Sequence, residues 1–174
     1  RLSLVGSEMC IRDSLYGIPF IGDYSTLFAN TELLAQAGLD LEEVSTSLES
    51  LMAACQTLKK DLPDVVPWTF PGNASGAMGF TIQPMIWAAD TDLLSGELGD
   101  QSGNVAGNDV VEAVLEFHRQ LWVDELVPRR AFVEDGSQWG HDYRSGEVVF
   151  FPGAYGSAVA AVSYTHLTLP TILL

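Results

Sequence analysis

The sequence predicts an α/β layered domain with a largely parallel sheet, and three observations predict it. Extended and helical segments alternate along the chain, the pattern of strands joined by crossover helices. Two helical segments begin at a capping asparagine, and the two longest carry apolar stripes. Apolar residues make up 47% of the 174 positions, enough for one substantial core.

Each element has a local reason. Tyr16-Gly17-Ile18-Pro19-Phe20 is a short extended piece, because Pro19 biases its neighbourhood away from helix and towards an edge or crossover. Ser25 to Ala29 reads as a strand. Asn30 then caps a helix through Ala37, with Gly38 in the C′ position. From Ser47, the residues Leu48, Leu51, Met52, Cys55 and Leu58 form one helical stripe, closed by Lys59 and Lys60 in the last turn. Val65 to Phe70 reads as a buried strand, and residues 71–79 as a Gly/Ser/Asn loop leading into a helix around Ile82 to Ala89. Residues 90–107 are polar and Gly-rich, the composition of a surface excursion. Asn108 caps the longest helix, with the stripe Val111, Val114, Leu115, His118, Leu121 and Trp122. Gln138 to Ser145 makes a short helix, Glu147 to Phe151 a strand, and Pro152-Gly153 a turn towards a further helix.

The two ends read differently from the middle. Met9-Cys10-Ile11-Arg12-Asp13 can be coded ATG TGT ATA AGA GAC. The reverse complement, GTC TCT TAT ACA CAT, encodes Val162-Ser163-Tyr164-Thr165-His166 word for word. Opposite ends of a natural domain have no reason to be antisense to each other. The pair matches the inverted end of transposon-based sequencing adapters. Residues 1–14 and 162–174 are therefore expected to be adapter translation and stand outside fold reasoning, as a fusion scar would. The expected native segment is 15–161, cut from a longer chain.

Charge and cysteine usage narrow the function classes. Residues 1–14 hold two bases, Arg1 and Arg12, and two acids, Glu8 and Asp13, so removing them leaves the net charge at −15. Such a surface disfavours nucleic acid and anionic lipid heads as partners. No apolar run reaches the roughly 20 residues that span a bilayer. With Cys10 in the adapter, Cys55 stands alone, which rules out a disulfide framework and reads as a small core residue.

Three patches resemble one family: the extracellular solute-binding proteins of ABC-type carbohydrate importers, the maltose-binding-protein-like group. Tyr16-Gly17-Ile18-Pro19-Phe20 with Ser25–Asn30 and Glu32-Leu33-Leu34 is similar to the family's crossover strand into its second lobe. Pro84-Met85-Ile86-Trp87-Ala88-Ala89-Asp90 resembles its P-L-I-A-A-D helix end, with one extra residue. Phe117–Val127 and then Tyr143–Tyr155 resemble its helix, F-x-x-G, strand and aromatic. The resemblance implies a three-layer α/β/α domain, mostly the C-terminal lobe of a two-lobed periplasmic-binding fold, with residues 16–20 as hinge strand. It implies a monomeric, non-enzymatic component that captures a mono- or oligosaccharide between its lobes and hands it to permease subunits. That protein is periplasmic or extracellular, with a lipid anchor on the missing N-terminus as a further expectation. No cofactor is expected.

Sugars present hydroxyls above an apolar C–H face, so a site needs acceptors and flat aromatic side chains. By the resemblance, Asp23 stands where the family has an acid touching sugar hydroxyls, with a turn aspartate as the competing reading. Tyr155 stands at its stacking aromatic, against a core tyrosine. Phe80, after the 71–79 loop, is a second candidate platform, and Tyr24 beside Asp23 a third; core packing competes with both. Asn73 and Gln83 are candidate hydrogen-bonders. Trp68 and Trp87, inside a strand and a helix, read as core.

Other constellations fail. Asp90-Thr91-Asp92 opens like a calcium loop, but Leu94 and Gly96 break the ligand spacing. His118 and His141 have no partner at zinc spacing, and no serine sits in a nucleophile elbow. A carbohydrate-active enzyme needs two opposed carboxyls, one held neutral, and only Asp23 is placed for a cleft. The same fold binding a polyamine, an amino acid or another solute stays open at this stage.

Overall fold

The computed structural model describes residues 24–74, 76–137 and 141–154, together with the backbone of Cys10–Ile11, Ser14–Leu15 and Thr171–Ile172. The chain runs β1 (Cys10–Ile11), β2 (Ser14–Leu15), β3 (Ser25–Ala29), α1 (Thr31–Gln36), α2 (Leu41–Val44) and α3 (Leu48–Asp61). It continues through β4 (Val66–Trp68), α4 (Met78–Thr81), α5 (Gln83–Trp87), β5 (Leu94–Ser95) and β6 (Ser102–Gly103). Then come α6 (Asp109–Val123), a 3-10 turn at Arg129–Val133, α7 (His141–Arg144), β7 (Val148–Ala154) and β8 (Thr171–Ile172). The crossover strand expected at 16–20 lies outside the described residues.

The helix starts follow the expected capping chemistry. Asn30 Oδ1 accepts from the amides of Glu32 and Leu33 at 3.1 and 3.2 Å. Asn108 Oδ1 does the same for Val110 and Val111 at 3.1 and 3.3 Å. Ser47 Oγ accepts from Ser50 N at 3.1 Å. Each side chain satisfies amides that have no partner inside the first turn. Gly38 leaves α1 at φ +69°, the left-handed conformation that a residue without Cβ adopts freely. Asp40, which the sequence reading passed over, caps the extra short helix α2.

Four strands form the central sheet in the order β4-β7-β3-β8. β4 pairs parallel with β7, whereas β3 pairs antiparallel with both β7 and β8. The sheet is thus mixed, not largely parallel. Alternation of strand and helix sets the order of elements along the chain; it carries no information on the direction in which distant strands meet.

The expected turn at Pro152-Gly153 is also corrected. β7 runs through both residues, pairing Pro152 with Leu27 and Gly153 with Thr26. Asn30 N donates to Val149 O at 2.8 Å, so the alternating ladder leaves Leu27 and Pro152 as a pair that exchanges no hydrogen bond. The amide that proline lacks would face the β4 side, where β4 has already ended at Trp68 opposite Phe150.

One face of the sheet carries the larger core. There Leu27, Ala29, Trp68 and Phe150 meet α3, α5 and α6 through Leu51, Cys55, Leu58, Ile86, Val114, Phe117 and Leu121. Trp68 sits at its centre, 5.2 Å from Phe117 edge-on and 5.8 Å from Phe150. Phe28 and Phe151 point to the opposite face and form a smaller cluster with Tyr143 and Val148. On α6 the buried arc runs through Val111, Val114, Phe117, His118 and Leu121. Leu115, expected in the stripe, lies at the margin of that arc and is exposed, and Phe117 takes its place. Trp87, expected in the core, is half exposed because it ends α5 beyond the buried Met85 and Ile86. The 90–107 excursion folds back as the exposed hairpin β5–β6.

Candidate functional site

In open α/β sheets, ligands sit outside the carboxyl ends of parallel strands, where loops converge and backbone polar groups are free of the ladder. Here β4 and β7 are parallel, so Trp68 and Pro152 mark that edge, and antiparallel β3 begins there with Ser25. A small cavity of about 30 Å³ lies at this edge, lined by Ser25, Thr26, Trp68, Phe80, Thr81 and Pro152 among others. It is far smaller than a whole ligand pocket, which occupies about 300–1,000 Å³. The geometry is that of one wall of a site with a niche in its floor. Two larger grooves lie among the helices, between α3 and α6 and between α5, the hairpin and α6, away from the strand ends.

The loop above the wall is held from below. Gly72 N donates to Ala131 O at 2.8 Å and Asn73 N to Glu134 O at 2.9 Å, tying 71–74 to the 3-10 turn. A Cβ at position 72 would stand 2.8 Å from Ala131 O, so the close approach requires glycine. α4 then presents Phe80 to the cavity with 42% of its surface exposed, and buries Thr81 beside it.

The candidates named from sequence divide as follows. Phe80 lines the cavity. Tyr24 is 68% exposed immediately before β3. Asp23 and Tyr155 lie outside the described residues; in the chain they stand two residues before Ser25 and one after Ala154, which pair with each other. Asn73 is exposed, and Gln83 lines the groove by α5 instead of the cavity. Sequence reasoning missed Ser25, Thr26, Thr81 and Pro152, and it ranked Trp68 below the other aromatics as mostly core. The signal available for them was weak: two small hydroxyls opening a strand beside an aromatic, and a hydroxyl following another.

The electrostatics of the buried titratable groups argue for inert roles. Burial pushes the Cys55 thiol well above its ordinary range, so no thiolate nucleophile forms. Desolvation lowers the pKa of His118, only partly opposed by its Nδ1 contact with Val114 O at 2.8 Å. Tyr143 is pushed up to about 12 by burial. Among the described residues no group of three or more His, Cys, Asp or Glu side chains is arranged to hold a metal ion, and no helix is long and apolar enough to cross a membrane.

The sequence model for bacterial extracellular solute-binding proteins matches residues 3–166. No curated protein matches the sequence. Among solved structures, the chain is similar to a sugar transporter from Arthrobacter chlorophenolicus A6 with bound laminaribiose, with a TM-score of 0.75 and 16% identity over 94% of this chain and 39% of that one. It is similar to maltose-bound MalE3 of T. maritima, with a TM-score of 0.72 and 13% identity over 93% and 39%. The GacH receptor of Streptomyces glaucescens GLA.O, solved unliganded and with acarbose, gives 0.69 and 16% over 94% and 41%. The chain thus spans about two fifths of the length of these proteins, and it shares the α/β fold of part of their two-lobed architecture.

Proposed function

The chain belongs to the bacterial extracellular solute-binding proteins, and from that premise we propose that it forms one wall of a carbohydrate-binding cleft in the capture component of an ABC-type importer. One observation carries the reading: the exposed ring of Phe80 stands beside the hydroxyl-bearing Ser25 and Thr26 at the carboxyl edge of β4 and β7. A flat apolar surface next to hydroxyls is what a sugar ring requires. The bound ligands named for similar structures, laminaribiose, maltose and acarbose, support the same class. Asp23, Tyr24 and Tyr155 are proposed as the remaining contacts on this wall. Asp23 supplies a charged acceptor and Tyr155 a second stacking face.

In this reading residues 15–161 are mostly the C-terminal lobe, residues 16–20 the hinge, and the terminal segments foreign. Ligand is gripped between two lobes, closure excludes water, and the loaded protein docks on permease subunits outside the cell or in the periplasm. The family is one of binding proteins, and in this reading no residue is assigned a catalytic role.

The test is calorimetric titration of the protein from the longer reading frame against glucose, maltose, laminaribiose, amino acids and polyamines, with product analysis alongside. Binding of a saccharide left chemically intact is expected. Binding confined to amino acids or polyamines overturns the carbohydrate assignment, and turnover of a sugar overturns the binding-only one.

A further inference from the structure

Trp68 is fully enclosed, yet its indole Nε1 finds no acceptor among the described residues. Buried N–H groups are nearly always paired, so such a donor calls for a partner. The ring is packed edge-on against Phe117 at 5.2 Å and tilted against Phe150 at 5.8 Å, neither of which offers an acceptor atom. Trp68 is one of the residues lining the cavity of about 30 Å³ at the strand edge. That volume exceeds the roughly 10–15 Å³ that one water needs, and it has room for little more than a single heavy atom.

A second group sets the chemistry of the occupant. Thr81, 1% exposed, lines the same cavity, and its hydroxyl already donates to Ala77 O at 2.9 Å. Its oxygen keeps lone pairs with which it can accept. A group that accepts from an indole N–H and donates to a hydroxyl oxygen is itself an O–H. A cation has no lone pair for the indole, and a methyl satisfies neither partner.

We propose that this niche is a subsite for one hydroxyl oxygen, accepting from Trp68 Nε1 and donating to Thr81 Oγ1. Water fills it in the unliganded lobe, and a ligand hydroxyl reaching past Phe80 displaces that water on binding. The displacement rests on the cleft reading above; occupancy by an O–H group does not. Such a subsite discriminates by position, because a deoxy sugar lacking that hydroxyl leaves the water in place and forgoes both hydrogen bonds.

The test uses the 15N-labelled 174-residue chain. The indole resonance of Trp68 is assigned by elimination in the triple variant Trp87→Phe, Trp122→Phe, Trp139→Phe. A cross-relaxation peak from that N–H to water is expected, with a downfield, hydrogen-bonded shift. Thr81→Val, which keeps the shape and removes the acceptor, weakens the peak and moves the resonance upfield, while Thr81→Ser restores both. Absence of a water peak from the wild-type chain together with an upfield shift overturns the proposal, whether or not the valine variant folds. In the longer protein, maltose or laminaribiose removes the water peak and shifts the Trp68 resonance. If sugar binds and the water peak persists, the displacement is overturned and water is the permanent occupant. If no sugar perturbs any residue, the cleft reading fails while the water result still decides the niche.

Discussion

The ring of Phe151 occupies the space that a side chain at position 153 would need: a Cβ there would stand 2.5 Å from Phe151 Cε1 and 2.8 Å from Cζ. The two residues lie on the same face of β7, two apart, and Phe151 is enclosed with Phe28 and Tyr143. Gly153→Val should therefore destabilise the fold by about 1–3 kcal/mol, the cost of overpacking a set of fixed rings. Chemical denaturation measures it, and Phe151→Leu in the same background should recover part of the loss. A neutral Gly153→Val would mean that the ring can move aside.

The caps give a second prediction. Asn108→Ala removes the acceptor for two amides at the start of α6, whose buried face carries Val111, Val114, Phe117 and Leu121. A loss of ~1 kcal/mol in denaturant unfolding is expected, and Asn108→Asp or Asn108→Ser should retain most of the stability.

His118 makes stability depend on acid. Desolvation holds its folded pKa below the ordinary 6.5, so the unfolded chain binds more protons below that pH. The contribution of the neutral ring is complete above pH 6.5 and is lost progressively as pH falls below it. Unfolding curves measured between about pH 4 and 7 should be steeper in pH for the wild type than for His118→Leu. Equal slopes would remove His118 as the cause.

At the proposed cleft, Phe80→Ala in the longer protein should cost the stacking contribution, ~0.5–1.5 kcal/mol beyond lost area, or roughly tenfold in sugar affinity. Tyr155→Ala should cost a similar amount, and Asp23→Ala at least as much if its carboxylate accepts two hydroxyls. Titration calorimetry reads all three. An Asp23→Ala variant with unchanged affinity would return that residue to the role of a turn aspartate.

Limited proteolysis tests the terminal segments. If residues 1–14 and 162–174 are adapter translation, trimming them should leave the folded signal of the remainder intact even though the two-residue edge strand β8 goes with them. Slow, cooperative cleavage at Arg12 would contradict that expectation.

What the sequence determined by itself was local. Asn30 and Asn108 cap helices because a short polar side chain reaches amides within three residues, and that reach is written in the order of residues alone. The strand at Ser25–Ala29 and the stripe on α3 are legible for the same reason. Of the candidate site, Phe80 was named because it follows a glycine-rich loop, and the structure sets it, exposed, at the cavity. Tertiary structure alone decided the rest. The antiparallel entry of β3 beside β7, the passage of that strand through Pro152 and the niche joining Ser25, Trp68 and Thr81 depend on segments from separate elements of the chain. Pro152 is tolerated only because β4 stops at Trp68, and Trp68 is more than a core side chain only because Thr81 folds in beside it. Neither condition leaves a trace near either residue, since which partner a side chain meets across a sheet is fixed by packing and not by its neighbours in the chain.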